Sequence, residues 1–248
     1  MDELVSIIVP VYNCEKFIAE TVKCILTQTY QNFEAIFIDD CSTDHSKEIL
    51  MGFADERIKV FDNDGAHGAY AARNKGIGLA KGRYITFLDA DDIWDRQKLY
   101  LTLNHLKRND AAFVFTGYEF ADEQGLGTGK VVEVPATLNY KRALSRTVIF
   151  TSTVMFDLSK LSRDDILMPN IKSEDTATWW KILRTGIIAY GLNENLVLYR
   201  RSGGSLSANK FEAIKRIWNL YRKSEHLSII KSCICFVGWA FGAVARRL

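Results

Sequence analysis

Phe33-Glu34-Ala35-Ile36-Phe37-Ile38-Asp39-Asp40-Cys41-Ser42-Thr43-Asp44 decides the fold, because an apolar run stops there abruptly in carboxylates and hydroxyls. Similar short runs occupy Val5–Val11, Ile58–Phe61, Tyr84–Leu88 and Ala111–Phe115, and successive starts are 28, 25, 26 and 27 residues apart. Helical patterns fill the intervals at Glu15–Gln28, Ser46–Phe53, Ala69–Ala80 and Arg96–Lys107. In the first of these, Phe17, Val22, Ile25 and Leu26 share a face. Continuously apolar strands alternating with helices predict right-handed βαβ units, hence a Rossmann-like α/β chain with a mostly parallel central sheet flanked by helices. Beyond Gly117 the pattern loosens into turn-rich pieces around Gly125, Gly127 and Gly129, with a strand-like Val131–Val134. A helix over Glu174–Arg184 and an apolar run over Ile187–Tyr199 follow.

The chain has 248 residues, 48% hydrophobic and 25% charged, which excludes a disordered or fibrous protein. Its net charge of +2 carries no global nucleic-acid signature. Acidic Asp2 and Glu3 run directly into Leu4–Val11 without a basic leader, so the chain is expected to stay on the cytoplasmic side. Cys14, Cys24, Cys41, Cys233 and Cys235 show no paired spacing and read as reduced, mostly buried thiols. Charge is unevenly spread. From Lys210 onward eight basic residues face only Glu212 and Glu225, so an acidic body carries a basic tail.

Open parallel sheets bind ligands at the carboxyl ends of their strands. Strand one ends in Pro10-Val11-Tyr12-Asn13, strand two in Asp39-Asp40, and strand four in Asp89-Ala90-Asp91-Asp92. Several carboxylates on one rim repel one another unless a cation or hydrogen-bond donors neutralise them. Asp89-x-Asp91 suits a hard divalent cation whose remaining ligands are phosphate oxygens and water. Neither G-x-x-x-x-G-K-[ST] nor a G-x-G-x-x-G after strand one is present, which disfavours P-loop and dinucleotide chemistry. Gly76-Ile77-Gly78 lies inside a helix pattern.

Ser6–Asn13, Ile38–Asp44, Ala71–Gly76 and Phe87–Asp92 together resemble the ordered motifs of family 2 glycosyltransferases with the GT-A fold, over roughly residues 4–207. The resemblance implies inverting transfer from a nucleotide-diphosphate sugar with Mn²⁺ or Mg²⁺. It implies that Pro10 and Tyr12 shape the base pocket and that Asp40 accepts from the base. Asp39 would buttress the loop or cap the following helix. Arg73 would reach the base or the diphosphate, or else form a surface salt bridge. Asp89 would lie near the ribose and the metal, and Asp91 would bind the metal directly. Asp92 would cap the next helix or serve as a ligand. Glu174-Asp175 resembles the family's late acidic motif, which puts the catalytic base at Asp175; otherwise both acids merely favour the helix dipole. The adjacent Trp179 and Trp180 would offer an apolar acceptor floor, with at least one of them in the core, since both cannot face one way. Many relatives carry a histidine where Ser202 stands, so Arg200 or Arg201 would hold the diphosphate, beside a 202–207 loop suited to closure.

Fourteen uncharged residues lie between Lys231 and Arg246, too few to cross a bilayer. Flanked by Arg222, Lys223, Lys231, Arg246 and Arg247, they suit an interfacial helix on an anionic inner leaflet. A core or dimer helix is the other reading, with Gly238-x-x-x-Gly242 as a weak pairing signal. The expected organisation is a transferase domain over 1–208, its nucleotide-binding half at 1–117 and acceptor half at 118–208, then a helical tail over 209–248. Short chains with such tails resemble bacterial enzymes that build O-antigen, capsule or teichuronic acid on undecaprenyl diphosphate. The expected partners are therefore a UDP-hexose donor, a lipid-linked acceptor and the inner face of the plasma membrane. The rival readings are an inactive nucleotide-sugar-binding scaffold and a nucleotidyltransferase.

Overall fold

The computed structural model describes residues 3–201 and 210–245. Its strands are β1 (Val5–Val11), β2 (Phe33–Asp39), β3 (Ile58–Asp62), β4 (Tyr84–Phe87), β5 (Ile93–Trp94), β6 (Phe113–Ala121), β7 (Gly127–Val132), β8 (Thr137–Leu138), β9 (Met155–Asp157) and β10 (Ala189–Arg200). Its helices are α1 (Ile18–Leu26), α2 (Ser46–Met51), α3 (Ala69–Leu79), α4 (Lys98–Arg108), α5 (Tyr140–Ala143), α6 (Arg163–Ile166), α7 (Glu174–Arg184), α8 (Lys210–Asn219) and α9 (Ile229–Ala245). The expected closing loop at 202–207, and Arg246 and Arg247, lie outside the described residues.

The main path through the sheet is β3-β2-β1-β4-β9-β6-β10-β5. Its first four strands are parallel, as the spacing of apolar runs predicts. The fifth run forms β6 but does not pair with β4. Antiparallel β9 stands between them, pairing Tyr84 with Asp157 and Phe113 with Phe156. A two-pronged contact from Arg83 to Asp157 (2.9 and 2.7 Å) pins that inserted strand. The sheet is therefore mixed beyond β4, and β6 runs through residue 117 without a break.

Alternation along each inner strand feeds two layers. Val5, Ile7 and Val9 pack with Ile18, Val22 and Ile25 of α1, whereas Ile8 enters the opposite layer with Ala72 and Ile77 of α3. All of β2 is buried, and its one inner charge, Glu34, accepts from Ser6 Oγ at 2.6 Å and pairs with Lys59. Gly76 has a packing reason, since a Cβ there would stand 2.4 Å from Ile8 Cγ2. Its absence lets α3 lie directly on β1.

The tail docks on the body by one face. Tyr221 is buried and stacks on Trp180 with centroids 5.4 Å apart and planes 5° apart. Glu225 is buried and accepts from the Tyr140 hydroxyl and from Arg184 at 3.0 Å. Trp239 donates its indole N–H to Thr147 Oγ1 at 3.1 Å. Gly238 lies against Ser145, where a Cβ would come within 2.8 Å, so it serves contact with the body. The other face exposes Ile230 (75%), Ile234 (68%), Val237 (54%) and Phe241 (75%). The core reading of the tail thus describes its inner face, and the outer face is apolar and exposed.

Gly76→Ala will force α3 away from β1 and lower stability by about 1–3 kcal/mol. Urea unfolding should show an earlier midpoint with an unchanged slope. An unchanged midpoint would mean that the α3–β1 contact tolerates a methyl group.

Candidate active site

Because β1, β2 and β4 are parallel, their carboxyl ends open on one rim. Val11 pairs with Asp39, and Asp40 N–H donates to Val11 O at 2.8 Å, which sets the first two rim loops side by side. They are then stitched together. Asn13 Oδ1 accepts from Thr43 N–H at 2.8 Å, Asn13 N–H donates to Ser42 Oγ at 3.1 Å, and Glu15 N–H donates to Asp44 Oδ2 at 3.0 Å. Asn13 (φ 47°) and Cys41 (φ 62°) both hold left-handed backbone, so the rim stores strain where the two loops turn.

The two adjacent carboxylates differ in how far the protein satisfies them. Asp40 accepts from Asn63 (2.6 Å) and His67 (3.1 Å) on Oδ1 and from Gly68 N–H (2.7 Å) on Oδ2. Burial alone would raise its carboxyl, but these donors outweigh that and hold it below the usual carboxylate range. Asp40 therefore anchors the 63–68 loop. Asp39 accepts from Ser42 N–H on Oδ2 at 3.3 Å, while its Oδ1 is buried with no partner. Asp39 is the carboxylate left with an open acceptor, beside exposed Tyr12 (62%) and half-buried Pro10.

Arg73 is neither a surface residue nor a free ligand. It is buried, donating to Asp89 Oδ1 at 2.6 Å and to Glu174 Oε1 at 2.9 Å. It thus ties the rim loop after β4 to the first turn of α7. Burial, and next the Asp175 charge, raise the Glu174 carboxyl, and Arg73 opposes both. Burial, followed by the Asp89 charge, pushes the Asp91 carboxyl up to about 6. Asp92 caps no helix. Wholly buried, it accepts from Ser152 Oγ at 2.5 Å and Arg200 N–H at 3.2 Å, and burial raises its carboxyl well above the usual range.

Arg200 is a strut, which corrects its expected role at the diphosphate. Only 2% exposed, it donates to Asp91 O (3.0 Å) and Glu20 Oε2 (2.6 Å) and lies over the Phe17 ring. Its neighbour Arg201 is the exposed cation, resting over Phe120 at 5.0 Å.

Asp175 is half-buried in the first turn of α7, where Thr151 donates to its Oδ2 at 3.3 Å. Ser173, just before it, holds φ 62° and turns the chain into the helix. Neither tryptophan floors an acceptor site. Trp179 sits in the core against Phe87, Phe113 and Phe156, and Trp180 meets Tyr221. The sequence reading missed the turn Thr151–Thr153. Its Thr151 reaches Asp175, and its Ser152 serves Asp92 and accepts from Asp89 N–H at 3.1 Å. Nothing in a lone Thr-Ser-Thr run signals this, because the contacts span 24 to 63 residues of chain. Among the described residues no group of three or more His, Cys, Asp or Glu side chains could hold a metal.

A nucleotide-binding parallel half with an acidic rim, closed by a mixed half that brings a further carboxylate, is the GT-A arrangement of a sugar transferase. The family model for glycosyl transferase family 2 matches residues 6–161, and the chain belongs to that family. It is 42% identical over 248 residues to TuaG of Bacillus subtilis (strain 168), a glycosyltransferase provisionally assigned to teichuronic acid biosynthesis, covering 99% of this chain and 98% of that one. It is 36% identical over 221 residues to WfgD of Escherichia coli, named a UDP-Glc:α-D-GlcNAc-diphosphoundecaprenol β-1,3-glucosyltransferase, covering 88% of this chain and 85% of that one. The solved mannosyltransferase PcManGT of Pyrobaculum calidifontis, in complex with GDP-Man and Mn²⁺, shares the fold. Its TM-score is 0.72 at 17% identity, covering 98% of this chain and 70% of that one.

Removing the guanidinium that bridges the halves will leave two partly buried carboxylates unpaired. Arg73→Met should lower stability by about 3–5 kcal/mol in chemical denaturation, and adding Glu174→Gln should recover part of the loss. A variant within about 1 kcal/mol of wild type would show that the bridge does not hold the site.

Proposed function

We propose that this glycosyltransferase moves a hexose, with inversion, from a UDP-hexose to a sugar carried on undecaprenyl diphosphate, in bacterial surface polysaccharide synthesis. The observation that carries the reading is the Asp89–Arg73–Glu174 bridge, which fixes a donor-side acidic loop against the turn that bears Asp175. The named activity of WfgD supports the donor and acceptor classes.

Each residue then has a task. Tyr12 stacks on the base and Pro10 walls it, while the open Oδ1 of Asp39 accepts from an imide N–H such as that of uracil. Asp40 acts indirectly, by holding the 63–68 loop. An all-oxygen pair, Asp89 and Asp91, with Asp91 desolvated beside its neighbour, fits Mn²⁺ or Mg²⁺. When bound, such an ion supplies positive charge against the departing diphosphate. Arg201 adds an exposed cation on that side. Asp175 removes the proton from the acceptor hydroxyl as that oxygen attacks the anomeric carbon opposite the departing diphosphate. Thr151, donating to Oδ2, keeps the carboxylate turned toward the cleft.

The exposed stripe Ile230, Ile234, Val237 and Phe241 repeats at steps of four, three and four, so it forms one continuous apolar band. Among the described residues no helix is long and apolar enough to cross a membrane. With exposed Lys223 and Lys231 beside it, the band suits the interface of an anionic cytoplasmic leaflet. This supports a peripheral seat on the inner membrane, where a lipid-linked acceptor is concentrated.

Asp175→Asn should lower turnover by roughly 10²–10⁴ with donor affinity nearly unchanged, as read by single-turnover kinetics and UDP-glucose titration. Asp91→Ala should instead abolish metal-dependent donor binding. Full turnover in Asp175→Asn would remove it as the base, and donor binding without turnover in wild type would favour the scaffold.

Replacing Ile230, Ile234, Val237 and Phe241 together with Ser should abolish sedimentation with anionic vesicles. Because these side chains point away from the body, the thermal midpoint should stay close to wild type. Reversing Lys223 and Lys231 should weaken the same binding in a salt-dependent way. Vesicle binding that ignores all six changes would rule out this face as the membrane seat.

A further inference from the structure

A second aromatic group lies at the edge of the core layer that holds α1, toward the carboxyl ends of β6 and β10. Phe150 and Tyr199 have centroids 4.2 Å apart, Tyr199 and Phe120 5.7 Å, and Tyr118 joins all three at 5.5 to 6.1 Å. Tyr118 is buried beneath, whereas Phe120, Phe150 and Tyr199 are half-buried. The group is continuous with the reactive groups at both ends. Phe150 immediately precedes Thr151, whose hydroxyl donates to Asp175. Arg201 lies over Phe120 at the opposite end, next to the strut Arg200 that holds the Asp91 backbone. The rings thus connect the turn that carries Thr151 with the exposed Arg201.

We propose that Phe150, Tyr199 and Phe120 form the platform for the acceptor's terminal sugar and determine which sugar is accepted. This rests on the reading of Asp175 as the base and of a lipid-linked sugar as the acceptor. The flat faces take the apolar C–H face of a neutral pyranose, leaving its hydroxyl edge toward Asp175. The three rings pack on the core cluster from one side and are only half-buried, so each keeps part of its apolar surface accessible to a ligand. The donor side makes no use of them, since the base, ribose and metal residues come from β1, β2 and β4. Sequence reading assigned this floor to Trp179 and Trp180, which the core absorbs.

The test uses the full chain with UDP-glucose and a GlcNAc-diphospho-lipid of short alkyl chain, so that membrane seating does not enter. Phe150→Ala and Tyr199→Ala should each raise the acceptor KM about tenfold or more. The donor KM, and the slow release of UDP without acceptor, should stay within about twofold. Phe150→Tyr and Tyr199→Phe should restore the acceptor KM, because either ring supplies a face. An acceptor KM unchanged in both alanine variants overturns the platform alone. Equal damage to donor KM and background hydrolysis overturns it too, by showing a structural role. If wild type releases UDP yet transfers to no diphospholipid in a panel of terminal sugars, the lipid-linked reading falls and the platform falls with it.

Discussion

One buried guanidinium holds the functional half of this molecule together. Arg73 leaves α3, which packs on the parallel half, and ends between Asp89 of the loop after β4 and Glu174 of the first turn of α7. Each carboxylate alone on that rim would repel its neighbours, and Asp91 shows the effect, pushed up to about 6 by burial and Asp89. A single fully desolvated cation offsets two such charges at once. Breaking a pair of this kind costs more than its net contribution to stability, because the partners stay buried and unpaired. The bridge therefore acts as a geometric constraint on the first turn of α7 relative to Asp89, beside the Thr151–Ser152 turn, which touches both.

The rest of the rim follows from neutralising acids with donors rather than cations. Asp40 is satisfied by a loop of the same half, Asp92 by Ser152 and a backbone amide, and Asp44 by Ser46 and Glu15 N–H. Asp39 keeps an open oxygen, and Asp91 keeps no strong donor on its side chain among these contacts. Carboxylates that the protein satisfies itself are structural, and those it leaves short are the ones with capacity for a ligand. That distinction separates neighbours in sequence, Asp39 from Asp40 and Asp91 from Asp92.

This is also why the sequence was legible only in part. The parallel strands β1 to β4, helix α7 and the acidic rim follow from local periodicity and from where apolar runs stop, both of which act over a few residues. Inserted β9 is three residues long, too short for a period, and its place depends on Arg83 reaching Asp157 across 74 residues. Arg200 next to Arg201, and Trp179 next to Trp180, cannot be told apart from composition. One of each arginine pair points into the sheet and the other out, while both tryptophans find separate core contacts on adjacent faces of one helix. Adjacent identical residues take different roles whenever a strand or helix lies between two environments, and only the tertiary neighbours decide which takes which.

Helix α7 joins the two ends of the proposed mechanism. Its first turn carries Asp175, and its middle carries Trp180, stacked on Tyr221 of the tail. Farther along, Arg184 reaches the buried Glu225 just before α9. Eleven residues of helix span roughly 16 Å, a rigid distance compared with any loop. The segment from Ser145 to Phe150 runs alongside, touching α9 through Gly238 and Trp239 and ending at Thr151 on Asp175. Two independent connections thus fix the base relative to the outer apolar band of α9. Whatever surface that band rests on, the distance from it to the reacting hydroxyl is set by packed side chains rather than by a flexible tether. A tethered tail would only raise local concentration, whereas on the proposed reading of Asp175 and of the band a docked one would also select acceptors by the height of their sugar.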